Sequence, residues 1–165
     1  MKVLKAAIYV SIVIALLGCG EKLTAEAHIK NAKDYLNADN LNASVIELKN
    51  AIRIDDKNAD ARFLLGQIYL NLGDGPAATK ELERAKKLKI TNNKLLPLLA
   101  RAYILTDSNA DVLALSADSK VLAAEQQSQY LAYQTLAALR SGDQELATQA
   151  VELADAIANQ GVYSM

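Results

Sequence analysis

Residues 58–90 read NADARFLLGQIYLNLGDGPAATKELERAKKLKI, and their pattern decides the fold. Apolar and small residues recur at helical spacing in two runs, Ala61 to Leu72 and Pro76 to Leu88. Between them, Gly73-Asp74-Gly75 is a turn signal, and the fixed φ of Pro76 suits a first helical position. The stretch therefore predicts an antiparallel helical hairpin. Gly66 and Ala78 let the two helices approach closely, Tyr69 and Leu82 fill the space beside them, and Ala85 leaves room for the next helix to dock.

The ladder recurs in phase. Going back 34 residues, Ala32 stands for Gly66, Tyr35 for Tyr69, Ser44 for Ala78, Leu48 for Leu82 and Ala51 for Ala85. Going forward by the same step, Leu99, Ala100 and Tyr103 continue it for one helix. This resembles the tetratricopeptide repeat, a hairpin of about 34 residues that stacks into an α-solenoid. The resemblance implies an all-α fold of four hairpins: 25–58, 59–92, a degenerate 93–122, and 123–161. Their helices are expected at Ala25 to Leu36, Leu41 to Ile54, the two runs above, Leu95 to Leu105, Ala110 to Leu115, Glu125 to Arg140 and Gln144 to Asn159. Around the sixth, Val112 and Ser116 occupy the ladder positions and Asp118-Ser119 interrupts the pattern, so an irregular joint is expected to follow. Gly142 repeats the turn position of Gly73, Ala147, Val151 and Ala154 supply the last ladder, and Asn159-Gln160-Gly161 is a helix stop signal. The last helix carries an almost continuous Ala/Val/Leu stripe where a solenoid normally ends in a polar face. Either that stripe meets a partner or these residues begin a longer array.

Composition agrees with a thin helical core: one Phe, no Trp and two Pro, with seven Tyr supplying most of the aromatic volume. A formal net charge of −1 gives no electrostatic footprint for nucleic acid. One Cys allows no internal disulfide and no multi-Cys metal site, and His28, the sole His, argues against a His-based cluster. His28 reads as a surface or packing residue. There is no Gly-rich phosphate loop, nucleophile elbow or paired-carboxylate pattern, so the expectation is a protein that is not an enzyme, with no cofactor, no metal and no small-molecule substrate.

Residues 1–18 read as a signal peptide. Lys2 and Lys5 form a positive start, and Ala6 to Leu17 is an apolar run too short to span a bilayer comfortably. It ends in Leu16-Leu17-Gly18-Cys19, which resembles a bacterial lipobox, with Cys19 as the lipidated first residue of the mature chain. Each buried methylene of an acyl chain contributes about 0.8 kcal/mol, so membrane attachment would rest on the lipid. By resemblance to bacterial lipoproteins, Gly20 after the Cys, rather than Asp, implies the periplasmic face of the outer membrane. Residues 19–24 are then a short linker to the first repeat.

A lipobox Cys is followed closely by AKDYLNADNLNASVIELKNAIRIDDKNADARFLLGQIYLNLGD (residues 32–74) and by LLPLLARAYILTDSNADVL (residues 95–113). Together these resemble the N-terminal part of the tetratricopeptide-repeat lipoprotein of exosortase/PEP-CTERM systems, over about Cys19 to Leu115. The resemblance implies a scaffold in exopolysaccharide production and in sorting PEP-CTERM proteins. Those lipoproteins are much longer than this chain. An alternative with the same architecture is a lipoprotein that assists outer-membrane protein or pilus assembly.

Such repeats hold a peptide or partner helix in a groove lined by the first helix of each hairpin. The repeat register nominates Glu26, Ile29, Lys33, Leu36 and Asn37, then Asp60, Phe63, Gln67, Leu70 and Asn71, then Lys94, Arg101, Ile104 and Leu105. Ile29, Leu36, Phe63, Leu70 and Ile104 are expected to form a broken apolar lane, with Phe63 as anchor. Lys33 and Arg101 would receive a carboxylate, and the partners would be envelope proteins. The Lys/Asn spacing of chaperone-tail clamps is absent.

Overall fold

The computed structural model describes residues 23–90, 93–115 and 122–162, with side chains to Asn159. The signal peptide, Cys19, Gly20 and the interrupted joint at Ser116 and Asp118-Ser119 lie outside the described residues. Among those described there are eight helices and no strand: α1 (Ala25–Asn37), α2 (Leu41–Ile54), α3 (Ala59–Asn71), α4 (Gly75–Lys87), α5 (Leu95–Leu105), α6 (Asn109–Ala114), α7 (Ala124–Arg140) and α8 (Gln144–Val162). The fold is an all-α helical repeat of the tetratricopeptide type. Helices α1 and α2, α3 and α4, and α7 and α8 pair as hairpins. The hairpins are joined by α3 on α2, α5 on α4, and α7 against both α5 and α6.

The turns inside the hairpins obey one rule that the sequence half conceals. Asp39, Gly73, Asp107 and Gly142 all have positive φ, from 54° to 79°. In each case the next residue's amide closes back on the carbonyl five residues earlier: Asn40 on Tyr35, Asp74 on Tyr69, Ser108 on Tyr103, Asp143 on Ala138, at 2.8 to 2.9 Å. This is the Schellman closure of a helix C-terminus, which satisfies carbonyls that the helix leaves open. Glycine takes the left-handed conformation without steric cost, and Asp is among the few other residues that tolerate it. The same closing residues then cap the following helix. Asn40, Asp74 and Asp143 accept from Ala43, Ala77 and Leu146 amides at 3.0 to 3.1 Å. Because Asp74 caps α4, Gly75 is its first residue and Pro76 its second, one place later than expected.

The small-residue ladder sets the spacing between helices. Ala32, Ser44, Leu48, Ala51, Ala78, Leu82, Ala85, Ala100 and Val112 are fully buried. A Cβ on Gly66 would come within 2.6 Å of Leu82 Cγ, so glycine is what lets α3 and α4 touch at that height. Ser44 substitutes for Ala in the ladder because its hydroxyl donates to Ala32 O at 2.9 Å, leaving no unpaired buried donor.

Two sequence expectations change at the C-terminal end. Helix α8 does not stop at Asn159-Gln160-Gly161 but runs through Gly161 to Val162. A glycine costs a helix about 1 kcal/mol without forbidding it. Of the last ladder, Ala147 is buried against α7, whereas Val151 is exposed and Ala154 half-buried.

Candidate interaction surface

The first helices α1, α3 and α5 turn one row of side chains outward in register: Lys33, Gln67 and Arg101, with Asn37 and Asn71 beside it. Lys33, Asn37 and Asn71 are exposed, and Gln67 and Arg101 half-buried. Amides and cations in this row offer donors and acceptors suited to an extended backbone or a carboxylate. Glu26, Asp60, Lys94 and Leu105 are also exposed. Ile29 and Leu36 pack partly into the core between the first two hairpins, and Ile104 partly into the core of the later ones.

The apolar lane is not continuous. Phe63 is only 4% exposed and Leu70 1%, and both belong to the core that joins α3 and α4 to α5. Burying a Phe contributes about 1.5–3 kcal/mol, and stacking α5 onto the second hairpin collects it, so Phe63 is a packing residue and not a groove anchor. Arg101 is also partly committed. Its Nη2 donates to Leu70 O at 3.4 Å, near the C-terminus of α3, where open carbonyls favour a cation. Arg140 of α7 donates in the same way to Ile104 O at 3.3 Å and to Asp107 Oδ1 at 3.1 Å.

Sequence reasoning missed the polar contacts between hairpin partners. His28 Nδ1 lies 2.6 Å from Glu47 Oε2, so His28 is half-buried and tied to α2. One repeat on, Arg62 Nη1 donates to Glu81 Oε2 at 2.8 Å, and both residues are 7% exposed. Arg62 also donates through Nε and Nη2 to Asp56 O at 3.0 and 2.7 Å. Asp56 stands where such a repeat usually carries Pro, and the guanidinium fork holds the turn that Pro would have stiffened. The signal was present in the sequence as two pairs, 28/47 and 62/81, in the same phase.

Clefts lie at both ends of the described residues. One of about 840 Å³ lies at the start of α1 and the end of α2, lined by Leu23, Thr24, Glu26, His28, Arg53 and Ile54 among others. The second, of about 340 Å³, opens between α7 and α8. Among the described residues, no three or more His, Cys, Asp or Glu side chains come together as a metal site. No described helix is long and apolar enough to cross a membrane.

Residues 32–89 match the family model for the tetratricopeptide repeat. The match runs from mid-α1 through the end of α4, and over this span the chain carries repeats of the kind that act as protein–protein interaction scaffolds. No curated protein matches the chain.

Proposed function

We propose that the protein is a lipid-anchored scaffold of the bacterial envelope, held to the membrane through Cys19 and binding another protein along its first helices. The observation that carries this reading is the lipobox-like Leu16-Leu17-Gly18-Cys19, placed a few residues before the first repeat. An acylated Cys19 fixes α1 near the bilayer surface and leaves the outward row free for a client. The row Lys33, Gln67 and Arg101, edged by Asn37 and Asn71, favours an extended peptide held by its backbone and acidic side chains over an apolar helix. The biological setting is exopolysaccharide production and PEP-CTERM protein sorting, supported by the resemblance of residues 19–115 to lipoproteins of those systems. The anchor faces the periplasm from the outer membrane.

The intact mass of the protein from its own membranes tests the anchor. The expected species begins at Cys19 and carries acyl chains, while retention of residues 1–18 removes the lipoprotein reading. Crosslinking from Gln67, followed by identification of captured proteins, tests the setting. Polysaccharide-export or sorting components are expected. Barrel-assembly or pilus components would replace this client class with the other.

A further inference from the structure

Antiparallel hairpins place the helix ends on two edges of the array. The turns inside the hairpins form one. The other gathers the starts of α1, α3 and α5 with the ends of α2 and α4. Its residues meet around two clefts: Leu23 and Thr24 with Arg53 and Ile54, and Lys57 with Arg84 and Lys87. The edges differ in charge. The turn edge carries Asp39, Asp74, Asp107 and Asp143, all exposed, with Arg140 bound to Asp107. The other carries Arg53, Lys57, Arg84, Lys87, Lys89 and Lys94, also exposed. Acids share it towards the first hairpin, where Glu26, Asp56 and Asp60 are exposed and Asp55 is half-buried. From Arg84 to Thr106 the sequence has six basic residues and no acid.

Helix-end chemistry accounts for part of this. Arg84 and Lys87 lie in the last turn of α4, where open carbonyls favour a cation, and Arg84 stands 3.8 Å from Glu81. It does not account for Lys57 and Lys89, which lie in the joints between hairpins. Lys89 is left-handed, with φ 58°, and the amide of Ile90 closes back on Ala85 O at 3.2 Å. At the closures inside the hairpins that place is held by Gly or Asp. A lysine there carries a steric cost that Gly avoids and Asp can offset by a local hydrogen bond. Local geometry does not explain it, whereas an exposed charge at this edge does.

We infer that this basic edge docks on the anionic phospholipid headgroups of a bilayer, with the acidic turn edge pointing away from it. The choice of a bilayer over a soluble anion rests on the proposed Cys19 anchor. Leu23, at this edge, is four residues from Cys19, a reach of about 14 Å at most. An acylated Cys19 therefore keeps the basic edge beside the headgroups, while the length of α1 sets the turn edge roughly 20 Å further out. Leu23 and Ile54, 49% and 51% exposed, add apolar side chains among the cations. A lipid chain joined to a basic surface is a two-signal attachment, firmer than either signal alone. No run of lysines announces the surface in the sequence, because its cations come from separate helix ends and joints.

The test uses the full chain from its own membranes, reconstituted in vesicles of phosphatidylcholine alone or mixed with phosphatidylglycerol. Asn93→Cys and Ser141→Cys, both at exposed positions, carry a fluorophore on the basic edge and the turn edge. A headgroup-bound quencher is expected to darken the Asn93 label more on the anionic vesicles and to leave the Ser141 label bright on both. The difference should vanish at high salt, where charges are screened within about 3 Å. Lys57→Gln, Lys87→Gln and Lys89→Gln should each lower the docked-to-undocked ratio roughly fivefold and leave the helical circular dichroism unchanged. Equal quenching on the two lipids, or quenching that the triple variant retains, overturns the docking. Alginate that abolishes the quenching at equal anionic charge would give the edge to an acidic polymer and overturn the bilayer assignment. Intact mass reads the anchor separately. A chain that retains residues 1–18 removes the anchor reading, whereas an acylated chain quenched alike on both lipids removes only the docked edge.

Discussion

Where α1 faces α2, His28 meets Glu47, and where α3 faces α4, Arg62 meets Glu81. One and two hairpins further on, the same positions hold Leu96 and Leu115, then Leu131 and Ala150, all of them buried. The backbone frame is the same at all four heights, with turn residues in the left-handed region and equivalent Schellman closures. The first half thus meets with polar pairs a packing problem that the second half meets with hydrocarbon. Taking an ion pair out of water costs several kcal/mol per ion, so a buried charged rung has little net stabilising value as such. Its use lies elsewhere: Arg62 also holds the Asp56 carbonyl, and so links the entry turn of the second hairpin to α4. The later rungs do not carry a turn. There α6 is short, and Tyr130, fully buried, donates to Val112 O at 2.9 Å near the end of that helix.

Breaking the buried rung should have the largest effect. Arg62→Met leaves the buried Glu81 with only the partly exposed Arg84, 3.8 Å away, as a counter-charge and frees the Asp56 turn, and is expected to cost about 3 kcal/mol in urea unfolding. Arg62→Leu combined with Glu81→Leu imitates the Leu96 and Leu115 rung. It should recover most of that loss, short of the part that belongs to the Asp56 carbonyl. If the double variant is as unstable as the single one, the two halves are not interchangeable at this height.

Gly66→Ala is next in size. In an open helix the change would stabilise by up to about 1 kcal/mol. Here the new methyl meets Leu82, and an overpacking cost of about 1–3 kcal/mol should dominate. Leu82→Val beside it is expected to relieve part of the strain, so the pair should be non-additive in a double-mutant cycle. In the second half, Tyr130→Phe removes one hydrogen bond to the short helix and should cost about 1–2 kcal/mol. The loss should appear as faster amide exchange in α6 before it appears in α1 or α2.

The sequence made the helices legible because the period-34 ladder is built from sizes, and size is printed in residue names. Ala32, Gly66, Ala100 and Leu48, Leu82 could be aligned without any coordinates. Phe63 and Leu70 were misassigned as groove residues because a periodic pattern says which face a residue shares, not whether a neighbour covers that face. Helix α5 covers both. The left-handed Asp39 and Asp107 escaped notice because Asp signals a turn or a cap equally well, and only the glycines at 73 and 142 declare positive φ. The Arg62–Glu81 rung was written at the same phase as His28–Glu47, but with different cations in the two copies. The joint after Leu115 falls where the ladder itself decays, so pattern had nothing there to extend.

Tyr103 joins the two halves, and pH offers a small perturbation of that joint. Its hydroxyl donates from α5 to Glu83 on α4. Burial first, then the hydrogen bond to Glu83 and its negative charge, with Asp111 adding a smaller repulsion, push the phenol up from its ordinary value. The folded protein therefore keeps this proton at a pH where the unfolded chain, with a tyrosine near its usual value of about 10, has released it. Stability from this group is fully present below about pH 10 and is lost as the pH climbs beyond it. Tyr103→Phe should cost about 1 kcal/mol at neutral pH, since Glu83 can turn to water. Above pH 10 the gap between the urea midpoints of the two proteins should narrow, because only the wild type has a proton to lose. Glu83→Gln removes the negative charge beside the phenol while keeping an oxygen that can accept its proton, and should make the fall with pH shallower than in the wild type. A gap that stays constant to pH 11 would mean that the α4–α5 joint does not bind this proton, and that the second hairpin and its successor are held by hydrocarbon alone.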